Sequence, residues 1–149
     1  MQGPEMATAI GVVTLVAGLV AWIGQSLALL APSVAVRLGV LEREEELDPA
    51  LYLIETKAMG WSDMALGWIL PAAALLMLIG HPLWPYLALV GSGIFLYFSA
   101  VTSLSRLYLR RAGRKVGRPA SLRAAYLAGG IWSACAIAMI WLVALELSS

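Results

Sequence analysis

Four side chains carry whatever chemistry this sequence could perform inside or beside an apolar phase. Glu55 and Asp63 stand just ahead of a long charge-free run, Thr102 lies near the end of that run, and Arg106 closes it. Ionisable residues at the edge of such a run are uncommon and are candidates for ligand or proton handling. Glu55 and Ser62 are spaced to share one face of a helix, and Thr102 and Arg106 lie one turn apart on another. A turn centred near residues 82 and 83 would set Asp63 level with Thr102 in an antiparallel pair. The sequence therefore predicts a polar contact from Asp63 to Arg106, or to the hydroxyls of Thr102 and Ser103. Glu55, Asp63, Thr102 and Arg106 form the candidate ligand-binding set. The competing reading is a strut, because a carboxylate at this depth is tolerated when paired and costly when alone.

Other chemistry finds little support. His81 is the only histidine, set between Gly80 and Pro82, and a side-chain metal site needs three or four clustered ligands. A surface or interfacial position suits it. Cys135 is the only cysteine and sits among Ala and Ile, where it packs as a small hydrophobe. No phosphate-binding loop, dinucleotide fingerprint or nucleophile elbow occurs. No catalytic residue, metal or cofactor is expected.

These candidates must be positioned by membrane-spanning helices. Hydrophobic residues make up 61% of the 149 and charged residues 13%, against about 45–50% and about 25% in soluble domains; mean hydropathy is +0.85. Residues 6–36, 64–105 and 124–145 lack Asp, Glu, Lys and Arg altogether. A span needs about 20 apolar residues, so the outer runs hold one span each. The middle run holds two, divided by Gly80, Pro82 and Pro85. Such long, uniform runs suit helices rather than barrel strands. The fold class is thus an all-α integral membrane protein, a four-transmembrane-helix bundle forming a single domain over 1–149. Its spans are about 6–31, 58–79, 86–108 and 120–146. The flank 1–5 has no positive charge and the first apolar run is long for a signal peptide, so the first span is expected to stay.

Charge placement predicts orientation. Seven of the ten basic residues lie between Arg106 and Arg123, and Arg37, Arg43 and Lys57 lie in the linker after the first span. All ten fall on one side if the 110–118 loop is cytosolic, with both termini periplasmic. The bland reading of the 106–123 basic loop is topogenic, with attraction to anionic lipid heads and no nucleic-acid role. The run Glu42 to Glu46 reads as a solvated loop, and Asp48-Pro49 as a helix start. Pro71 should bend the second span near Gly67.

Each span carries a seam of small or polar residues of the kind that packs membrane helices: Gly11, Thr14, Gly18, Ala21, Gln25 and Ala28 in the first, and Gly60, Gly67 and Ala74 in the second. Ala88, Ser92, Phe95, Ser99, Thr102 and Arg106 form the seam of the third, and Ala125, Gly129, Ser133 and Ala136 that of the fourth. Leu15, Leu19, Trp22 and Leu29 on the far side of the first span suit lipid.

The segment Ala31-Pro32-Ser33-Val34-Ala35-Val36-Arg37-Leu38-Gly39, followed by a charged linker and the glycine-spaced second span from Gly60 to Gly67, resembles the DoxX-like small four-helix bacterial membrane proteins. The resemblance covers the first half of the chain. It implies an association with membrane quinone-linked oxidoreductases and transfers no functional residue. Arginine outnumbers lysine eight to two, which fits a bacterial source. The sequence therefore leads us to expect a small inner-membrane protein, a non-enzymatic accessory subunit or a binder of a lipid or other small lipophile. The alternative is a small enzyme or carrier acting on a lipophilic substrate such as a quinone or lipid. Its partners would be the bilayer, and a membrane protein or a second copy of itself.

Overall fold

The computed structural model describes residues 3–148. Four rods cross the molecule, each long and apolar enough to span a membrane: Gly3–Leu30, Pro49–Leu78, Trp84–Arg111 and Pro119–Ser148. The first is helix α1. A short helix α2 (Pro32–Arg37) follows, with Pro32 in its first turn. The second rod is segmented into α3 (Pro49–Leu53), a wide π turn (Ile54–Met59), α4 (Gly60–Leu66) and α5 (Ile69–Leu78). The third and fourth rods are α6 (Trp84–Arg111) and α7 (Pro119–Ser148). The rods contact one another in a ring, α1 to α5, α5 to α6, α6 to α7 and α7 back to α1. The result is an all-α up-and-down bundle, and the chain is a multi-pass membrane protein.

The small-residue seams set how closely the rods approach. A Cβ on Gly91 would lie 2.7 Å from the Leu70 backbone, and one on Gly18 would lie 2.9 Å from the Pro71 ring. Ala88, Ser92, Phe95, Ser99 and Arg106 are all buried on α6, as their spacing predicts. Leu70, Ala74, Ala136 and Met139 close the middle of the core. The far side of α1 differs from expectation. Leu29 is buried against Gly60, and the Trp22 indole N–H donates to the Met64 carbonyl at 3.0 Å. Trp22 has a polar N–H to satisfy, and a carbonyl of the neighbouring rod does so where lipid cannot.

The second rod breaks at Gly67 and Trp68, one turn before Pro71, because proline can neither donate to the helix nor fit against the preceding turn. Asp48 caps the start of the rod by accepting from the Ala50 N–H at 3.0 Å. His81 serves the hairpin, its Nδ1 accepting from the Leu83 N–H at 3.2 Å, after Gly80 turns the chain with φ +70°.

The linker is a solvated loop only in part: Arg43, Glu44 and Glu45 are exposed. Leu41 and Leu47 at the two ends of the acidic run are buried, and so is Glu42. Leu47 pairs with Val116 as an antiparallel bridge, flanked by Asp48 N–H to Lys115 carbonyl at 2.8 Å and Gly117 N–H to Glu46 carbonyl at 3.1 Å. Arg114 reaches Asp48 at 2.6 Å and Arg118 reaches Glu46 at 3.2 Å. The acidic linker and the basic loop thus form a strap across one end of the bundle. Two leucines leaving water and opposite charges facing each other account for it.

Candidate functional site

Beneath the strap, α1, the second rod, α6 and α7 surround a cavity of about 260 Å³. Its polar patch is built from three elements. Arg106 of α6 points its guanidinium at the second rod, where Glu55 accepts from both terminal nitrogens; the Nη2 to Oε2 distance is 3.0 Å. Glu42 of the strap stands 3.5 Å from the same Nη2. Arginine suits this task because its planar fork satisfies a carboxylate bidentately. All three side chains are nearly withdrawn from solvent, at 9% exposure for Arg106 and Glu42 and 13% for Glu55.

The π turn brings Glu55 here. Residues 55 and 63 on a regular α-helix would diverge by about 80°, since each residue advances about 100°. The wider turn over Ile54–Met59 takes up that offset, so Glu55, Met59 and Asp63 all face the interior. Such single wide turns recur at functional sites. Ser62, spaced to share a regular helical face with Glu55, instead donates to the Ala58 carbonyl of its own helix at 3.1 Å.

Glu42 owes its place to Gly117. A Cβ there would collide with the Glu42 carboxylate, and its φ of +90° is a conformation that glycine alone adopts freely. Burial pushes the Glu42 carboxyl above its ordinary range, and the Arg106 charge and the Ser121 hydroxyl pull it back only in part. Asp48, on the outer side of the strap, moves the opposite way. The hydrogen bond from Arg114 holds it below the usual carboxylate range.

Asp63 does not meet Arg106. The guanidinium is committed to Glu55 and Glu42 on the strap side, and Ser103 lies under Gly129 of α7. Asp63 is 5% exposed, and its Oδ1 has no hydrogen-bond partner among the described residues. It lines a second, smaller chamber of about 30 Å³ with Trp22, Phe95, Phe98 and Trp132. Ala21, Gln25, Thr102 and Trp132 line both chambers, so the two adjoin. Of the four candidate residues, Glu55, Thr102 and Arg106 thus line the larger chamber, while Asp63 and Thr102 line the smaller.

The larger chamber is otherwise lined mostly by apolar residues, with Gln25, Thr102 and Ser121 as its other polar side chains. Its exposed lining residues are Val20, Gly39, Val40 and Ala124, which place the mouth between α1 and α7 below the linker. Sequence reasoning missed Glu42, Trp22 and Trp132 as lining residues. For Glu42 the available signal was its position directly after Leu41, where an apolar neighbour draws the first glutamate of the run inward. No known protein family, curated protein or solved structure matches this chain.

Proposed function

We propose that this protein binds a small lipophile inside the bundle, within a bacterial inner membrane. The observation that carries the reading is the cavity of about 260 Å³, lined mostly by apolar side chains, apolar at its mouth, and carrying the buried cluster of Glu42, Glu55 and Arg106. Pockets for drug-sized ligands run from about 300 to 1,000 Å³, so the occupant is a compact molecule or one short part of a lipid. An opening flanked by Val20, Val40 and Ala124 favours entry sideways from the acyl chains rather than from water.

Both termini lie in the periplasm and the strap faces the cytosol, on the one-sided sorting of Lys and Arg. Arg114 and Arg118 are engaged by the strap, which leaves the exposed Arg110, Arg111 and Arg123 to attract anionic lipid heads.

Ala128 of α7 lines the cavity and can be enlarged without touching the polar cluster. Lipophiles extracted from purified wild-type protein and from Ala128→Phe, and compared by mass analysis, test the proposal. A species enriched over bulk lipid in the wild type should be depleted in Ala128→Phe. Equal retention by both proteins, or no enrichment in the wild type, overturns it.

A further inference from the structure

The two chambers hold three carboxylates, Glu42, Glu55 and Asp63, and among their lining residues a single cation, Arg106. Arg106 is already gripped by Glu55 and Glu42. Asp63 is left over. It is more than nine-tenths buried, it lines the smaller chamber, and its Oδ1 is unpartnered among the described residues. Four aromatic rings, Trp22, Phe95, Phe98 and Trp132, line the same chamber. A carboxylate among aromatic rings recognises cations twice over, by charge and by the electron-rich ring faces.

We infer that the bound lipophile is an amine, its ammonium head seated in the small chamber against Asp63 and its hydrocarbon body in the larger one. The inference rests on the binding function proposed above and names its ligand class.

Size and charge agree on this choice. A chamber of about 30 Å³ exceeds the about 10–15 Å³ that one water needs, so it admits a primary ammonium, a water-sized group with three donors. A trimethylammonium head is much larger and offers no N–H donor to Asp63, Gln25 or Thr102. A carboxylate or phosphate head would enter a site with three carboxylates and one cation, Arg106, which is already paired. A neutral alcohol fits the space but leaves Asp63 without a counter-charge. Gln25 and Thr102, on the boundary between the chambers, stand where they can accept the remaining ammonium protons. Arg106 takes no part in holding the ammonium; it is already paired with Glu55 and Glu42.

The test uses full-length protein in nanodiscs of neutral phosphatidylcholine and titration calorimetry at neutral pH. Cyclohexylmethylamine, cyclohexylmethanol and cyclohexanecarboxylate share one shape and differ in head charge. The amine should bind at least about tenfold more tightly than the alcohol, and the carboxylate should bind more weakly than either. Asp63→Asn should bring the amine down to the level of the alcohol. Alcohol affinity unchanged in that variant shows an intact cavity. Phe98→Leu, which leaves the charge in place, should lower amine affinity several-fold and spare the alcohol. Equal binding of amine and alcohol by the wild type overturns the ammonium assignment and leaves lipophile binding standing; so does an amine preference that survives both substitutions. Failure of all three probes to bind overturns both.

Discussion

Removing Arg106 should be the most damaging single change at the strap end, because Glu55 and Glu42 would keep their charges in a buried place with no cation. Breaking a buried pair from one side costs about 3–5 kcal/mol, whereas replacing both partners by apolar groups of similar size is often close to neutral. Arg106→Met should therefore lower the unfolding free energy in mixed micelles by several kcal/mol, and adding Glu55→Leu should restore part of that loss. A double variant less stable than the single one would show that Glu55 is held by something other than Arg106. Glu42 carries a pH signature as well. Its pKa is raised above 4.5 by burial, so its stabilising contribution is full below that value and is lost as pH rises through the raised one. Asp48 is lowered and works in reverse, losing its contribution only in strong acid. As pH rises above 4.5, Glu42→Gln should lose less thermal stability than the wild type; identical slopes would place Glu42 in water.

At the scale of elements, the bundle depends on where a Cβ has no room. Gly91 meets the backbone of Leu70, which cannot move aside, while nothing lies within 4 Å of the position a Cβ would take on Gly93. Overpacking typically costs about 1–3 kcal/mol, and a free helical site gains up to about 1 kcal/mol when Gly becomes Ala. Gly91→Ala should thus destabilise the bundle, and Gly93→Ala should leave it unchanged or improve it, in parallel melts. The seam of α6 was legible in the sequence because a regular helix keeps Ala88, Ser92, Phe95, Ser99 and Arg106 in one row. The second rod was legible in its limits and its break at Gly67, for which Pro71 is a local cause. Its π turn was not, since no residue in Ile54–Met59 announces an extra residue per turn, and the face assigned to Ser62 went wrong with it. The contact expected between Asp63 and Arg106 failed for a related reason. Asp63 and Thr102 do line one chamber, but Arg106 is taken by Glu55 and Glu42. Glu42 was masked by a charge run whose composition says water; its burial goes with that of Leu41 beside it and with the long-range pairing of Leu47 and Val116.

For the whole molecule, the four spans and their hairpin were readable from length, hydropathy and punctuation alone, because lipid leaves the backbone few alternatives. Orientation is a separate matter of Lys and Arg sorting. Reporter fusions after Ser148 and within 110–118 should give opposite signals, periplasmic at the C-terminus and cytosolic at the loop. A cytosolic signal at the C-terminus would overturn the four-span count if the loop is also cytosolic, and the orientation if the loop is periplasmic. The strap also bears on the order in which the protein can be made. It joins the segment between the first two spans to the segment between the last two. A nascent chain that has delivered only its first hairpin exposes Glu42 and Glu55 before their guanidinium has left the ribosome. The chamber has no lid until Val116 has emerged to meet Leu47. Closure of the strap thus waits until synthesis has passed the third crossing, and a chain halted earlier carries carboxylates without their guanidinium.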